Sequence, residues 1–488
     1  MKKLLVLLAV WSYTTSAQKK AVVESVKAFE KSFQNKDYNE MKLLLAPQFT
    51  VGVGDSSSNE FYLKGIFNGL PKLDSLQMGK STTAKNETRM AVNLFFKGEK
   101  KVSEIVFNKD NKILYVTFFD GLYKINRNVE VKKAASIPFE IIENGIAVKI
   151  KLNKSEREFV MLFDTGADGM ALSPESAREA GVIITKTKSA SVVGGSQQVD
   201  YSADNTIYIG GQEIKNQGLV IFPKTRAYDG LFGGNLLRSF ITKVNFDTKT
   251  IDLYNFGNYI HQGKEKPLVF DYKIGLPVVK MSLTFPDKKK MEGDFTLDTG
   301  ASYNLIVYGP SNHKNNLEAS LKTEFVSNNY SLGSKTSVVN GTVSNVEIDG
   351  NNFPNVLIAL QEYQEANKNW AASDGSLGID LIKRFNFTID LLHKNIYLEP
   401  NKNFNKPASF YFSGLVLEFD EKDNLVIKRI LDTRNEDLKK IKTGAVVTQI
   451  NDFDAKDLLD HNNLKKVISH KGADITIEQD NQSTRISL

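Results

Sequence analysis

The sequence predicts a multidomain chain whose centre is a mainly-β unit of two similar lobes, with a small α+β unit before it and a small α/β unit after it. Three observations lead there. Residues 136 to 400 contain an internal repeat. The segment ahead of the repeat opens with helical periodicity and then alternates, while the segment behind it opens and closes in strands. Polar stretches ended by proline, Gly257 to Pro267 and Glu399 to Pro407, mark the joints. At 488 residues the chain is too long for one ordinary core, and length alone suggests about three domains. The expected divisions are residues 18–130, 136–256, 267–400 and 410–488.

Hydrophobic residues make up 41% of the chain and charged residues 25%, the proportions of a globular protein. The formal charge of +6 includes Lys2 and Lys3, and the remainder is too small and dispersed to indicate nucleic acid as a partner. The chain has no cysteine, which excludes disulfides, thiolate nucleophiles and Cys-ligated metals.

Residues 1–17 carry Lys2-Lys3, the apolar run Leu4 to Trp11, and a polar stretch ending Thr15-Ser16-Ala17. This is the layout of a secretory signal, with cleavage expected after Ala17. The apolar run is far short of the ~20 residues of a spanning helix. The mature chain is therefore expected to be exported, to the periplasm, the cell envelope or the medium, without a membrane span. Without disulfides it must be held by its hydrophobic cores, which is feasible at this size.

In the first unit, Val22, Val26, Phe29 and Phe33 share one helical face. A turn at Asn35-Lys36-Asp37 leads to a short helix from Tyr38 to Leu45, and a Ser- and Gly-rich loop spans Gly52 to Asn59. Alternating segments follow at 89–96, 102–107 and 113–119, the last two joined by the turn Asn108 to Asn111. Helices followed by a curved antiparallel sheet resemble the NTF2-like domains. No catalytic constellation is visible here.

The repeat is anchored by Phe163-Asp164-Thr165-Gly166-Ala167 and Leu297-Asp298-Thr299-Gly300-Ala301. Apolar runs flank each copy, so each reads as strand, tight turn, strand, with a carboxylate at the turn. Downstream, Asp229-Gly230-Leu231-Phe232-Gly233-Gly234-Asn235-Leu236 aligns without a gap on Asp374-Gly375-Ser376-Leu377-Gly378-Ile379-Asp380-Leu381. Both then enter a single helical turn and a hairpin. A lone Asp-Thr-Gly is an ordinary turn sequence. Two copies at matching places in a long repeat supply instead the pair of carboxylates that acid–base chemistry needs. Gly166 and Gly300 let the backbone turn closely under each carboxylate and offer it an N–H.

The two Asp-Thr-Gly-Ala turns, with Leu231-Phe232-Gly233 and Ser376-Leu377-Gly378, resemble the aspartic proteases. Asp164 to Asp168 is closest to the retroviral type, whereas Asp298 to Ser302 leans towards the pepsin-like form. The resemblance implies a bilobal endopeptidase acting on peptide or protein substrates, with Asp164 and Asp298 at the bottom of a cleft and no cofactor or metal. It implies that Thr165 and Thr299 bond across the lobes, that Gly233 and Gly378 support the dyad, and that Asp168 contacts substrate backbone. Gly194, Gly195 and Gly333 fall where the family carries flap hairpins. Carboxylates about 3 Å apart cannot both ionise cheaply, so such a pair holds one proton between them. One chain supplies both carboxylates, so a monomer can form the site, and the sequence leaves the oligomeric state open.

The last unit runs from the strand Leu415 to Phe419 through a strand at 425–430, a helix candidate near 435–440, a strand at 446–450 and a helix at 457–469 to a closing strand pair. This order resembles a bacterial PDZ domain, with Gly414-Leu415-Val416 in the place of its carboxylate-binding loop.

The five histidines, His261, His313, His393, His461 and His470, form no zinc motif and follow no nucleophile elbow. Two further readings stand beside the protease: a peptide-binding protein that kept the fold but lost efficient turnover, and a chain whose main role lies in an N-terminal ligand-binding or dimer-forming module.

Overall fold

The computed structural model describes residues 20–84, 87–192, 195–222, 227–331, 334–365, 371–431, 436–469, 474–480 and 482–488. The expected signal segment lies outside them. The protein is mainly β, with its strands in several separate sheets.

The first unit opens with a helix over residues 20–35, and Val22, Val26, Phe29 and Phe33 are all buried on one side of it. The helix Tyr38–Leu44 is capped by Asp37, whose carboxylate accepts the N–H groups of Asn39 and Glu40 at 2.9 and 3.1 Å. After the Ser-rich loop the structure adds a helix the sequence reading lacked, Asn59–Gly69, which buries Leu63, Ile66 and Phe67. These helices pack on an antiparallel meander of Ser75–Ala84, Glu87–Phe96, Glu99–Phe107 and Ile113–Val116. The last segment turns helical at Thr117–Leu122 instead of continuing as a strand to 119. Alternation would send Phe119 and Asp120 to opposite faces. The helical turn buries both, Phe119 against Phe29 and Phe33 and Asp120 against Arg127.

Each half of the repeat builds an eight-stranded sheet with the same internal order. In the first lobe Gly230–Phe232 runs parallel to Phe159–Phe163 and antiparallel to Met170–Leu172. In the second, Gly375–Gly378 runs parallel to Lys290–Asp298 and antiparallel to Leu305–Val307. Each lobe also carries a long hairpin, Lys186–Val192 with Gly195–Ile209 and Phe325–Ser331 with Ser334–Ile348. The single helical turns stand at Gly234–Leu237 and Ile379–Ile382.

A six-stranded sheet joins the lobes, with Lys133–Pro138, Thr250–Tyr254 and Ile241–Asn245 from one side and Phe385–Asp390, Asn395–Pro400 and Leu268–Val269 from the other. Its central pair is antiparallel, with Val244 opposite Phe387 and Thr242 opposite Ile389. One hydrophobic cluster runs through both lobes from Ile137 to Ala408. The repeat therefore folds around a shared core rather than as two beads.

The last unit is a seven-stranded sheet with the helix His461–Ser469. It docks on the second lobe through polar groups. Lys428 Nζ donates to Asp380 Oδ2 at 2.5 Å and to Glu418 Oε2 at 2.9 Å, and Asn144 Nδ2 donates to Asp380 Oδ1 at 2.6 Å. Burial by itself would raise the Asp380 carboxyl, but Lys428, Lys383 and Asn144 outweigh it and hold the group well below the usual carboxylate range. Arg384, also buried, donates to the carbonyls of Asn403, Lys406 and Pro407 and so ties down the polar joint. No helix among the described residues is long and apolar enough to cross a membrane.

Asp380→Ala leaves Lys428 buried with only Glu418, and is expected to lower the stability of the full chain by about 3 kcal/mol in denaturant unfolding. Because the carboxyl is depressed from an ordinary 3.8, its stabilisation is complete above about pH 4 and fades only as the pH falls through the lower folded value. The deficit of the variant should therefore be the same at pH 5 and pH 7 and shrink in strong acid.

Candidate active site

The apolar strand Phe159–Phe163, buried along nearly its whole length, delivers Asp164 to the end of its sheet, and Lys290–Asp298 does the same for Asp298. The neighbouring parallel strand explains the apolar-apolar-Gly motif. Phe232 lies beside Phe163 and its carbonyl accepts the N–H of Asp164 at 2.9 Å. A Cβ on Gly233 would overlap the carbonyl of Asp164, and one on Gly378 would overlap that of Tyr303. Only glycine lets the helical turn pass this close beneath the aspartate loop.

The two turns meet across the lobes. The N–H of Thr165 donates to Thr299 Oγ1 at 3.0 Å, and the N–H of Thr299 donates to Thr165 Oγ1 at 3.0 Å. Each hydroxyl then donates onward, Thr165 to the carbonyl of Leu297 at 2.5 Å and Thr299 to that of Phe163 at 2.8 Å. Both threonines are 0% exposed. Every polar group of the exchange is satisfied by the opposite lobe, as burial demands.

The carboxylates sit on this base. Asp164 Oδ1 accepts the N–H of Gly166 at 2.8 Å, and Asp298 Oδ1 accepts that of Gly300 at 3.0 Å. Each also lies against the glycine of the other lobe. A Cβ on Gly166 would come within 2.5 Å of Asp298 Oδ1, and one on Gly300 within 2.5 Å of Asp164 Oδ1. The structure thus brings Asp164, Asp298, Thr165, Thr299, Gly166 and Gly300 together, with Gly233 and Gly378 underneath.

The other expected positions fall elsewhere. Asp168 projects from the turn with its carboxylate 62% exposed, held by Arg238 Nη1 at 2.5 Å, while Arg238 Nη2 donates to its backbone carbonyl at 2.6 Å. Ser302 stands in its place in the second lobe. Gly194 and Gly333 lie outside the described residues. Gly195 begins its strand opposite Val192, and Ser334 pairs with Ser331 in the other lobe.

Gly414-Leu415-Val416 forms no open carboxylate-binding loop. Ser413 and Gly414, with φ of 43° and 89°, make a tight turn between Phe410–Phe412 and Leu415–Phe419. Leu415, Val416 and Leu417 are paired on one edge with 410–412 and on the other with 427–430. That leaves no free edge on Leu415 to Leu417 to which a peptide could add.

Three residues near the dyad escaped the sequence reading. Ser376, 0% exposed, donates its hydroxyl to Asp298 Oδ2 at 3.1 Å. Tyr303 and Tyr308 pack beside it with Ile306, Val338 and Ala359 beneath the second hairpin. Burial, and then the charge of Asp298, push both phenols well above their usual range, so both stay protonated. The matching cluster under the first hairpin, Ala171, Val199 and Phe222 with Leu231, is wholly apolar. The gapless alignment of Leu231 on Ser376 was the available signal.

Residues 148–239 match the family model described as gag-polyprotein putative aspartyl protease, a stretch confined to the first lobe and containing Asp164 and Gly233. The chain therefore carries an aspartyl protease-like domain. No curated protein matches it.

Thr299→Val strands the N–H of Thr165 and the carbonyl of Phe163 in a buried place. It should cost about 3 kcal/mol in denaturant unfolding, while Thr299→Ser, which keeps the oxygen, should recover most of that loss.

Proposed function

We propose that the chain is an exported aspartic endopeptidase that hydrolyses peptide bonds with a water held between Asp164 and Asp298. The observation that carries this reading is the reciprocal seating of each carboxylate over the glycine of the opposite turn, on a base locked by the threonine exchange. Two carboxylates held this closely share a single proton, because ionising both in one small volume is costly. The ionised member draws a proton from the water as its oxygen bonds to the scissile carbonyl carbon. The protonated member gives its proton to the carbonyl oxygen, and a gem-diol forms. As the C–N bond breaks, the first carboxyl returns its proton to the leaving nitrogen and the second takes one from the diol. Acid, amine and a singly protonated dyad result. Titration of the free pair belongs to both residues jointly.

The substrate is an extended peptide or protein segment, enclosed by the hairpins Lys186–Val192 with Gly195–Ile209 and Phe325–Ser331 with Ser334–Ile348. The opening unit, helices on an antiparallel meander, is an NTF2-like accessory domain in this reading, and the last unit is PDZ-like in its order of elements. The charged and apolar pattern of residues 1–17 supports export.

Cleavage profiling of a peptide library by mass spectrometry should find pepstatin-sensitive products between acid and neutral pH. Asp164→Asn and Asp298→Asn should each lower kcat/KM at least about a thousandfold. A parent protein that cleaves nothing across that range would defeat the proposal; peptide binding without cleavage would mark a binding protein on a protease fold.

A further inference from the structure

Each lobe opens with a hairpin whose two-residue turn meets the other lobe. In the first, Glu143 and Asn144, with φ of 45° and 62°, join Glu140–Ile142 to Gly145–Leu152. In the second, Ile274 and Gly275, with φ of 46° and 81°, join Asp271–Lys273 to Leu276–Thr284. Asn144 donates to Asp380 of the second lobe and accepts from Lys383 Nζ at 2.9 Å. Gly275 lies against Asp168 of the first lobe, so closely that a Cβ on it would overlap Oδ1. The corners match, because Arg238, which holds Asp168, and Lys383 stand at equivalent positions, two residues past Leu236 and Leu381.

The flanking units take hold of these same two corners. The last unit holds one through Lys428 and Glu418. The opening unit holds the other through Asp55, which is 7% exposed. Asp55 Oδ1 accepts the N–H of Ser57 at 2.6 Å and caps the turn Ser56–Ser58, while its Oδ2 accepts the N–H of Gly275 at 3.0 Å. The neighbouring carbonyl of Gly54 accepts from Lys394 Nζ at 3.2 Å, and that ammonium stands 4.8 Å from the centre of the Tyr272 ring. Tyr272 accepts in turn from Arg238 Nη1 at 3.3 Å. The hairpin 271–276 is thus engaged by the opening unit and by the Asp168–Arg238 pair together. Ile274 is a β-branched residue in a left-handed conformation, which such residues adopt only where their surroundings hold them. Its side chain is half exposed, so the hold falls on the backbone, and the bond from Gly275 to Asp55 supplies it from outside the lobe.

We propose that Asp55 is a positioning residue of the cleft: by fixing the turn Ile274-Gly275 it holds the Asp168–Arg238 pair in place, and the opening unit thereby sets how tightly the cleft holds a substrate backbone that runs past Asp168. The inference deepens the endopeptidase reading and rests on it for the substrate. A carboxylate already ordered by its neighbours binds at a lower entropic cost than one that must be ordered by the substrate.

The test compares kcat and KM of the full chain with those of Asp55→Ala, Asp55→Asn, Asp168→Ala and the double variant Asp55→Ala/Asp168→Ala, on the library peptide that the parent cleaves best. Asp55→Ala strands the buried N–H of Gly275 and should raise KM about tenfold with kcat little changed. Asp55→Asn, with one acceptor oxygen for two N–H groups, should act the same way by less. In the Asp168→Ala background Asp55→Ala should raise KM no further, because residues acting as one unit are not additive. Additive losses, a fall in kcat alone or an unchanged KM overturn the assignment. If Asp55→Ala does not fold, Asp55→Asn, alone and combined with Asp168→Ala, decides this arm.

Amide hydrogen exchange read by mass spectrometry needs no turnover, and so separates failure of this inference from failure of the endopeptidase reading. Asp55→Ala should speed exchange over residues 164–169 and 234–238 about fivefold, with no change over 305–307. Unchanged exchange at the turns that carry Asp168 and Arg238, or an equal rise in all these segments, refutes the coupling whether or not the parent cleaves peptides.

Discussion

The exchange of hydrogen bonds between Thr165 and Thr299 is the constraint on which the rest of the site depends. Each hydroxyl accepts from the opposite backbone and donates to it, so neither turn can shift without stranding two buried polar groups. Carboxylates standing one residue away inherit that rigidity, which is the preorganisation that acid–base chemistry requires. The six-stranded sheet and the core shared by both lobes serve the same end at longer range. They hold two distant stretches of chain in the one register at which the threonines meet.

Carrying both halves on one chain frees them to diverge. In a symmetric pair of identical subunits every substitution would appear twice. Here Leu231 matches Ser376 across the pseudo-symmetry, Asp168 matches Ser302, and a packed cluster of Ala171, Val199 and Phe222 in one lobe matches one that holds Tyr303 and Tyr308 in the other. The differences concentrate around the carboxylates and the hairpins. The threonines, glycines and strand order beneath them stay matched. The base of the site is conserved between the lobes by geometry, while its walls are free to specialise.

The flanking units are attached by buried polar groups as well as by apolar contact, with Val53 and Ile125 of the first unit against Ile241, Phe256 and Leu392 and Tyr411 of the last against Phe325. At one joint Asp380, Lys383, Lys428, Glu418 and Asn144 form one network. At the other, Arg127 binds Asp120 at 2.7 Å and the carbonyl of Leu392 at 2.8 Å, and Asp55 accepts the N–H of Gly275 at 3.0 Å. Lys394 donates to the carbonyl of Gly54 nearby, and burial, with Arg127 beside it, pulls its ammonium down to about 7. Such contacts contribute little if any partner is missing. What they provide is orientation, since hydrogen bonds are directional where hydrophobic contact is not.

Much of the site was legible in the sequence, because a repeated motif states the same local geometry twice. The helical face of residues 22–33 and the paired Asp-Thr-Gly turns follow from periodicity, turn chemistry and self-similarity, which are properties of neighbouring residues, whereas the supporting glycines and the hairpin positions came from the resemblance to the aspartic proteases. The helix Asn59–Gly69 hid behind a serine-rich start, and Phe119-Asp120 broke alternation only because two different partners wait for them in the fold. The Gly414 turn looked like an open loop until pairing on both edges of Leu415 to Leu417 closed it. The sequence by itself determined that this chain holds two equivalent aspartate turns. The tertiary structure alone decided what surrounds each of them, because the hydroxyl of Ser376 reaches Asp298 from a neighbouring strand far along the chain, and no local pattern records which distant side chains will share a buried site.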